Sequence, residues 1–180
     1  MVYLTFLIER YDSLPEFNFF LHAHEGGYRE AWHVDAPLHD QVYQVRAART
    51  EFIRQEGYVN LRCITELGCD FDGIWGPRLN IRVEDWNAIF RNTSTPPGQL
   101  ALTSQGLNRD GSSAVIKDLP RIESPCCAQF VVTADAVRAR PKEDYIALRN
   151  WLLHTELSDS ISGGVFEYLW HIIFGKPASS

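Results

Sequence analysis

Apolar residues recur at helical spacing in two segments of the N-terminal part of the chain. Residues 3–11 place Leu4, Leu7 and Ile8 on one face, which predicts a helix. Residues 40–55 predict a second helix, because Asp40 suits the N-cap position and Gly57 follows its end. The apolar side chains that share one face of this second helix are those of Val42, Val45, Ala48 and Phe52.

The later part of the chain predicts four more helices. Residues 83–90 form a short one, and Thr133 suits the N-cap of another. Pro141 suits the first turn of a helix over residues 142–154. The last helix covers residues 165–175 and ends at Gly175.

Three short segments have the apolar or alternating pattern of β-strands. They are FNFFL at residues 17–21, YVNLRC at residues 58–63 and CCAQFVVT at residues 126–133. Strands separated by helices favour an α/β protein, so we predict a mixed sheet flanked by helices in a single domain over residues 1–180.

Composition excludes several classes of protein but does not indicate a particular chemistry. The 180 residues are 45% hydrophobic, with a net charge of −6, which fits one globular core. No apolar run reaches the roughly 18 residues of a membrane span, and the N-terminus lacks a signal-peptide pattern, so we expect a soluble, cytoplasmic protein. The acidic balance argues against a nucleic-acid partner. Phosphate-binding glycine loops and the serine-hydrolase motif are absent from the sequence.

The four cysteines leave three interpretations open. Cys63 and Cys69 are separated by five residues, and Cys126 and Cys127 are adjacent. Neither spacing is that of a zinc finger or ribbon. The thiols are therefore compatible with buried reduced side chains, with disulfides or with a metal site.

A histidine pair directly follows the first predicted strand. His22 and His24 are two positions apart, so on an extended backbone both imidazoles point the same way. His33 and Asp35 follow in the same polar loop, and a His/carboxylate set suits a divalent ion such as zinc, iron or manganese. We predict a metal site of His22, His24, His33 and Asp35. The alternative is a polar loop whose histidines hydrogen-bond to the backbone.

The last predicted helix carries a candidate acid–base pair. Glu167 and His171 are four residues apart and so share one face of an otherwise apolar helix. A buried carboxylate next to an imidazole would act as a general base with a residue that orients it. The alternatives are a pair on the helix surface and a histidine in the core.

Four other side chains are candidates for binding a small-molecule substrate. Trp32 and Trp170 offer aromatic surfaces, although most tryptophans belong to the core. Arg62 would reach an anion, or else lie exposed on a strand. Gln129 lies within an apolar strand, where a buried amide requires hydrogen-bond partners.

Several long segments together resemble a mostly fungal protein family known as domain of unknown function thirty-four thirty-one. The likeness spans residues 3–177, and it implies no activity. The segments that carry it are, in chain order, ERYDSLPEFNFFLHAH, WHVDAPLHD, GYVNLRC, CCAQFVVT and SGGVFEYLWHIIFGKP.

A more distant resemblance is to nucleotide-sugar glycosyltransferases of the GT-A type. In those enzymes a helix leads into a strand that ends in a metal-binding Asp-x-Asp, and a later helix carries an acidic residue facing the acceptor. His22-x-His24 and Glu167 occupy the matching positions here, and histidines would favour a softer metal. The resemblance implies the C-terminal part of such a fold, in a chain that lacks the N-terminal strands of its relatives.

Three functional hypotheses remain. The first is a glycosyltransferase-like enzyme, and the second is another metal-dependent or acid–base enzyme of small-molecule metabolism. The third is a non-catalytic module that binds a partner or forms homo-oligomers. A structure separates them. Convergence of His22, His24, His33 and Glu167 on one cleft within about 10 Å favours an enzyme, whereas scatter favours the module.

Overall fold

The computed structural model of the chain describes residues 1–62, 81–95, 118–119, 122 and 124–178. Seven α-helices and three β-strands lie in these ranges. The helices are α1 (Val2–Arg10), α2 (Gln41–Arg46), α3 (Thr50–Glu56), α4 (Val83–Phe90), α5 (Ala134–Arg138), α6 (Lys142–His154) and α7 (Asp159–Ile173). The strands are β1 (Phe17–Phe20), β2 (Tyr58–Asn60) and β3 (Phe130–Thr133). The predicted α/β class is confirmed.

The three described strands form one antiparallel sheet with β3 in the centre. Its order is β1-β3-β2, and Phe130 of β3 pairs with Phe20 of β1 on one side and Asn60 of β2 on the other. All four residues of β3 are buried, which explains why this strand is an unbroken apolar run. In β1 burial alternates, so that Asn18 and Phe20 face the interior.

Helices α1 and α7 cover the sheet with apolar side chains. Leu4, Leu7 and Ile8 of α1 are buried, as their spacing predicts. Helix α7 buries nine residues over its length, and its Trp170 ring lies 5.4 Å from the ring of Phe130. Burial of this much apolar surface is the main stabilising contribution to the fold.

The segment predicted as one helix over residues 40–55 is two helices. The Asp40 cap is present, since its Oδ1 accepts a hydrogen bond from the Tyr43 N–H at 2.9 Å. The predicted inward face is nevertheless wrong, because Val42 is 46% and Phe52 43% exposed. The interior position of α2 belongs to Gln41, whose buried amide donates to another buried amide, so polar satisfaction outweighs apolar periodicity here.

Two other predicted boundaries also change. Only the second half of the predicted strand over residues 126–133 pairs in the sheet, because Cys127 and Ala128 adopt left-handed backbone angles, with φ of 83° and 46°. Helix α7 begins at Asp159, earlier than predicted, and includes Gly163 and Gly164.

A buried ion pair joins the start of α6 to two other parts of the chain. Arg140 Nη1 donates to Asp144 Oδ2 at 2.9 Å and to the Thr95 carbonyl at 2.8 Å, while its Nε donates to the Ile173 carbonyl at 2.9 Å. The carboxylate of Asp144 also accepts from Ser94 N–H, Ser94 Oγ and Thr95 N–H. The two buried charges therefore compensate each other, and each also has hydrogen bonds to the backbone, as a buried charge requires.

Some sequence predictions fall on residues outside the described ranges. Among them are the end of the predicted second strand and the state of Cys63 and Cys69. Within the described part of the chain, no helix is long and apolar enough to cross a membrane.

Candidate functional site

The ends of the three strands bring the candidate residues to one end of the sheet. The register pairs Phe20, Phe130 and Asn60 side by side. Strand β1 therefore runs on to His22 and β2 runs on to Arg62 at the same end where the Cys126–Gln129 turn enters β3. A short antiparallel sheet thus collects three chain segments that are distant in sequence.

His22, His24 and His33 form a compact cluster. One ring nitrogen from each lies within 4.8 Å of the others, and the His22 and His33 ring centroids are 4.5 Å apart. Two nitrogens bound to one zinc ion lie at most about 4.2 Å apart, twice the usual Zn–N distance. The three nitrogens are therefore somewhat farther apart than one ion requires, and the side chains would have to move to bind it.

The loop that carries His33 is pinned by its own backbone. The Ala31 N–H donates to the Gly27 carbonyl at 2.8 Å, and the Val34 N–H donates to the Ala31 carbonyl at 2.8 Å. Gly27 has a φ of 91°, a conformation that glycine adopts without penalty. Ala31 and Val34 are fully buried on either side of His33, and their packing fixes the position of the backbone that carries the imidazole.

Gln129 supports the same loop from the start of β3. Its Nε2 donates to the His33 carbonyl at 3.2 Å, and its Oε1 accepts from Gln41 Nε2 at 3.0 Å. The side chain is 1% exposed. Both ends of the amide are therefore engaged by protein groups, and Gln129 positions His33.

Burial keeps two of the histidines neutral. It is the main cause that lowers the pKa of His33 to about 4, with the His22 and His24 imidazoles and the Arg62 guanidinium adding to the effect. Burial and then His24 lower the pKa of His22, against the opposing effects of Glu167 and the Cys127 backbone. His33 Nε2 is also buried without a hydrogen-bond partner. Neutral imidazoles with a free lone pair are what a metal ion requires.

A cavity of about 600 Å³ opens beside the histidine cluster. Its lining includes the imidazole of His22, the carboxylate-bearing Glu167 of α7 and the rings of Tyr3 and Trp170. Trp170 is 4% exposed, and it contributes an apolar wall that is itself packed in the core. Apolar side chains share its lining with several polar ones, among them Asp159, Ser162 and Glu167.

Two adjacent cysteines lie beside the cavity, and one of them, Cys127, lines it. Cys126 and Cys127 are joined by a disulfide bond. The Cys127 N–H donates to Glu167 Oε1, and its Sγ lies 3.4 Å from Arg62 Nη1. Cys127 therefore contacts a candidate base and a candidate anion-binding residue at once.

Arg62 is a buried cation next to Cys127. It is 5% exposed, and its guanidinium carbon lies 5.1 Å from the ring centroid of the half-exposed Trp32. Its Nε has no hydrogen-bond partner, and no carboxylate of the described residues forms an ion pair with it. Cation–π contact with Trp32 compensates only part of the cost of burying the charge.

Two predicted residues lie apart from the cluster. Asp35 is half-buried and does not belong to the group of mutually close donor atoms formed by the three histidines. His171 lines a different cavity, of about 350 Å³, and its Nε2 lies 3.3 Å from the Ala178 carbonyl. Glu167 and His171 thus share a helix but line different cavities.

Comparison with protein families adds an identity without an activity. The sequence model described as "Protein of unknown function (DUF3431)" matches residues 1–180. The chain belongs to this family. Searches of curated proteins and of solved structures found no match to this DUF3431 member.

The sequence of this DUF3431 member did not predict that the cysteine pair lies beside Glu167 and Arg62. Cys126 and Cys127 were compatible with a disulfide, but their spacing alone gives no reason to connect them with Glu167 or Arg62. Their position could have indicated it. They come directly before β3, and the two strands that pair with β3 both lead into candidate site residues.

Proposed function

We propose that the protein is a metal-dependent enzyme that acts on a small molecule. His22, His24 and His33 would hold a divalent transition ion, and the adjoining cavity would hold the substrate. The observation that carries the proposal is the convergence of three imidazole nitrogens within 4.8 Å of one another at the edge of a cavity of about 600 Å³. Three histidines with an open fourth position are one of the arrangements of catalytic zinc sites.

Glu167 is the candidate general base. It lines the cavity with His22 and is near enough to raise the pKa of that imidazole. The hydrogen bond from the Cys127 N–H holds one carboxylate oxygen in a defined position. In such sites the ion supplies Lewis acidity, and Glu167 would take a proton from water or from a substrate hydroxyl.

Arg62 and Trp32 point to an anionic substrate. The guanidinium is buried beside His33 with an unpartnered Nε, and a carboxylate or phosphate group would supply the charge that the described residues do not. The exposed part of the Trp32 ring would cover the bound group. Planar guanidinium groups bind such oxyanions in two-point contacts.

Zinc content tests the metal site directly. Tag-free protein is equilibrated with zinc, dialysed and analysed by inductively coupled plasma mass spectrometry, and affinity is measured by competition with a chromophoric chelator. We expect about one zinc per chain, and affinity about 100-fold or more weaker in His24→Ala and in His33→Ala.

His154→Ala is the matched control. His154 is an exposed histidine at the end of α6, far in sequence from the cluster, and its Nδ1 contacts the Asn150 carbonyl at 2.8 Å. This variant should bind zinc as the unmodified protein does. Equal losses in all three variants, or no bound zinc in any of them, would reject the metal site.

Glycosyl transfer from a nucleotide sugar is the second candidate function. It is favoured by one specific arrangement, a strand followed directly by His22-x-His24 and a late helix whose Glu167 lines the neighbouring cavity. This is the order of parts in GT-A enzymes, although likeness of arrangement does not by itself establish chemistry.

Thermal-shift measurements distinguish the two functions. A nucleotide diphosphate should stabilise the zinc-loaded protein only if the protein binds a nucleotide-sugar donor. Stabilisation by inorganic phosphate but not by any nucleotide diphosphate would reject glycosyl transfer and leave the broader proposal intact.

A further inference from the structure

The bonded pair Cys126–Cys127 lies where a small reactant reaches it. Cys126 is 6% exposed, whereas Cys127 is half-buried and lines the cavity of about 600 Å³. Two sulfur atoms and a carboxylate oxygen of Glu167 lie within 4.8 Å of one another. One sulfur of the pair is therefore open to attack from the cavity while the other is shielded.

The backbone of this turn is in an unusual conformation. Cys127 and Ala128 both have positive φ, 83° and 46°, which residues other than glycine rarely adopt. The covalent bond closes the turn, and the Cys127 N–H donates to Glu167 on α7. Opening the bond would remove the covalent restraint on the backbone between Cys126 and Cys127, and with it a restraint on the positive φ of Cys127.

We infer that Cys126–Cys127 is a reversible redox site whose reduction by a small thiol releases Glu167 from the Cys127 N–H. The inference does not depend on metal binding and goes beyond the proposed function. It adds a second activity to the same cavity, in which a thiol of the glutathione class is the co-reactant.

The exchange is balanced in two steps. The first thiolate attacks Cys127 Sγ, which forms a mixed disulfide and releases Cys126 as a thiolate that takes up a proton. A second thiolate attacks the sulfur of the bound small thiol, which forms the small-molecule disulfide and releases Cys127. Two electrons and two protons pass from the two small thiols to the protein. Arg62 Nη1, 3.4 Å from Cys127 Sγ, faces the sulfur released in the second step.

Differential alkylation in glutathione buffers tests the redox site on the natural chain. Trypsin separates the two cysteine pairs, because residues 122–138 and residues 63–78 fall between arginines. We expect the peptide of residues 122–138 to gain two labels as the buffer becomes more reducing. The same midpoint should be reached from the oxidised and the reduced side. A pair that stays unlabelled in excess reduced glutathione, or stays fully labelled in the most oxidising buffer, would overturn the inference.

A trapping experiment identifies the attacked sulfur. Cys126→Ser leaves Cys127 without its partner, so oxidised glutathione should form a stable mixed disulfide with it. Cys127→Ser is the matched control, and its shielded Cys126 should react at least about tenfold more slowly. Equal reaction of both variants would contradict the assigned direction of attack.

Amide hydrogen exchange tests the release of Glu167. Reduction should speed exchange across residues 126–129, while residues 130–133, paired in β3, serve as the internal reference. Unchanged exchange in the turn of the reduced protein would reject the link between the redox site and Glu167.

Discussion

Two buried arginines of this protein differ in how far their charges are compensated by neighbouring groups. Arg140, 2% exposed, binds the carboxylate of Asp144 and two backbone carbonyls. Arg62, 5% exposed, has the sulfur of Cys127 and the ring of Trp32 for neighbours, and its Nε has no partner. A fully satisfied buried charge is part of the fold, whereas a partly satisfied one in contact with the cavity-lining Cys127 is a candidate for binding a ligand.

The largest expected effect is at the satisfied pair. Asp144→Ala leaves the Arg140 guanidinium buried without its counter-ion and removes the acceptor of Ser94 and Thr95. We expect the free energy of unfolding in urea to fall by about 3–5 kcal/mol. Glu143→Ala, an exposed neighbour in the first turn of α6, is the control and should have little effect. A loss below about 1 kcal/mol would mean that this pair is not structural.

An intermediate effect is expected where the fold supports the site. Gln129→Leu leaves the Gln41 amide and the His33 carbonyl without their partner. The free energy of unfolding should fall by about 1–3 kcal/mol, and zinc should bind more weakly because His33 is less well positioned. Gln55→Leu, at an exposed position of α3, is the control. A lower free energy of unfolding with unchanged zinc affinity would mean that Gln129 stabilises the fold but does not position His33 for zinc.

A small effect on stability is expected at the unsatisfied arginine. Arg62→Met keeps much of the side-chain volume and removes a buried charge, so the free energy of unfolding should change by less than about 1 kcal/mol. Stabilisation of the protein by inorganic phosphate should disappear in the same variant. A large loss of stability with phosphate binding retained would mean that Arg62 stabilises the fold, as Arg140 does, and does not bind an anion.

The smallest effect concerns His171, a buried histidine away from the cluster. Burial lowers its pKa below 6.5, so the unfolded chain takes up a proton before the folded protein does. The contribution of His171 to stability is therefore complete above its unfolded pKa and is lost as the pH falls below it. As the pH is lowered from about 7 to about 5, the free energy of unfolding in urea should therefore fall less for His171→Phe than for the natural protein. A constant difference across this range would contradict the assignment.

Local sequence signals predicted the elements of the fold better than the assembly of the site. The spacing of Leu4, Leu7 and Ile8 and the cap at Asp40 are short-range features, and both appear in the structure. The burial of Gln41 at the start of α2 depends on its hydrogen bond to Gln129, which no local pattern reveals.

The same division applies to the candidate site. The pair His22-x-His24 was visible because alternation on an extended segment determines direction. The approach of His33, Arg62 and Cys127 depends on loop hydrogen bonds and on strand register, which act over long sequence separations. Asp35 and His171 matched the site in residue type, yet Asp35 is not in the group of close donor atoms and His171 lines a different cavity.

The register of the short sheet also has a consequence for how the protein folds. Phe17 pairs with Thr133, and β2 reaches β3 only across residues 61–129. Pairings between such distant segments form slowly, because the chain must close long loops before it gains their contacts. His22, Arg62 and Cys127 meet only after both pairings exist. During refolding, phosphate binding at Arg62, which requires this meeting, should therefore emerge together with the slowest folding phase.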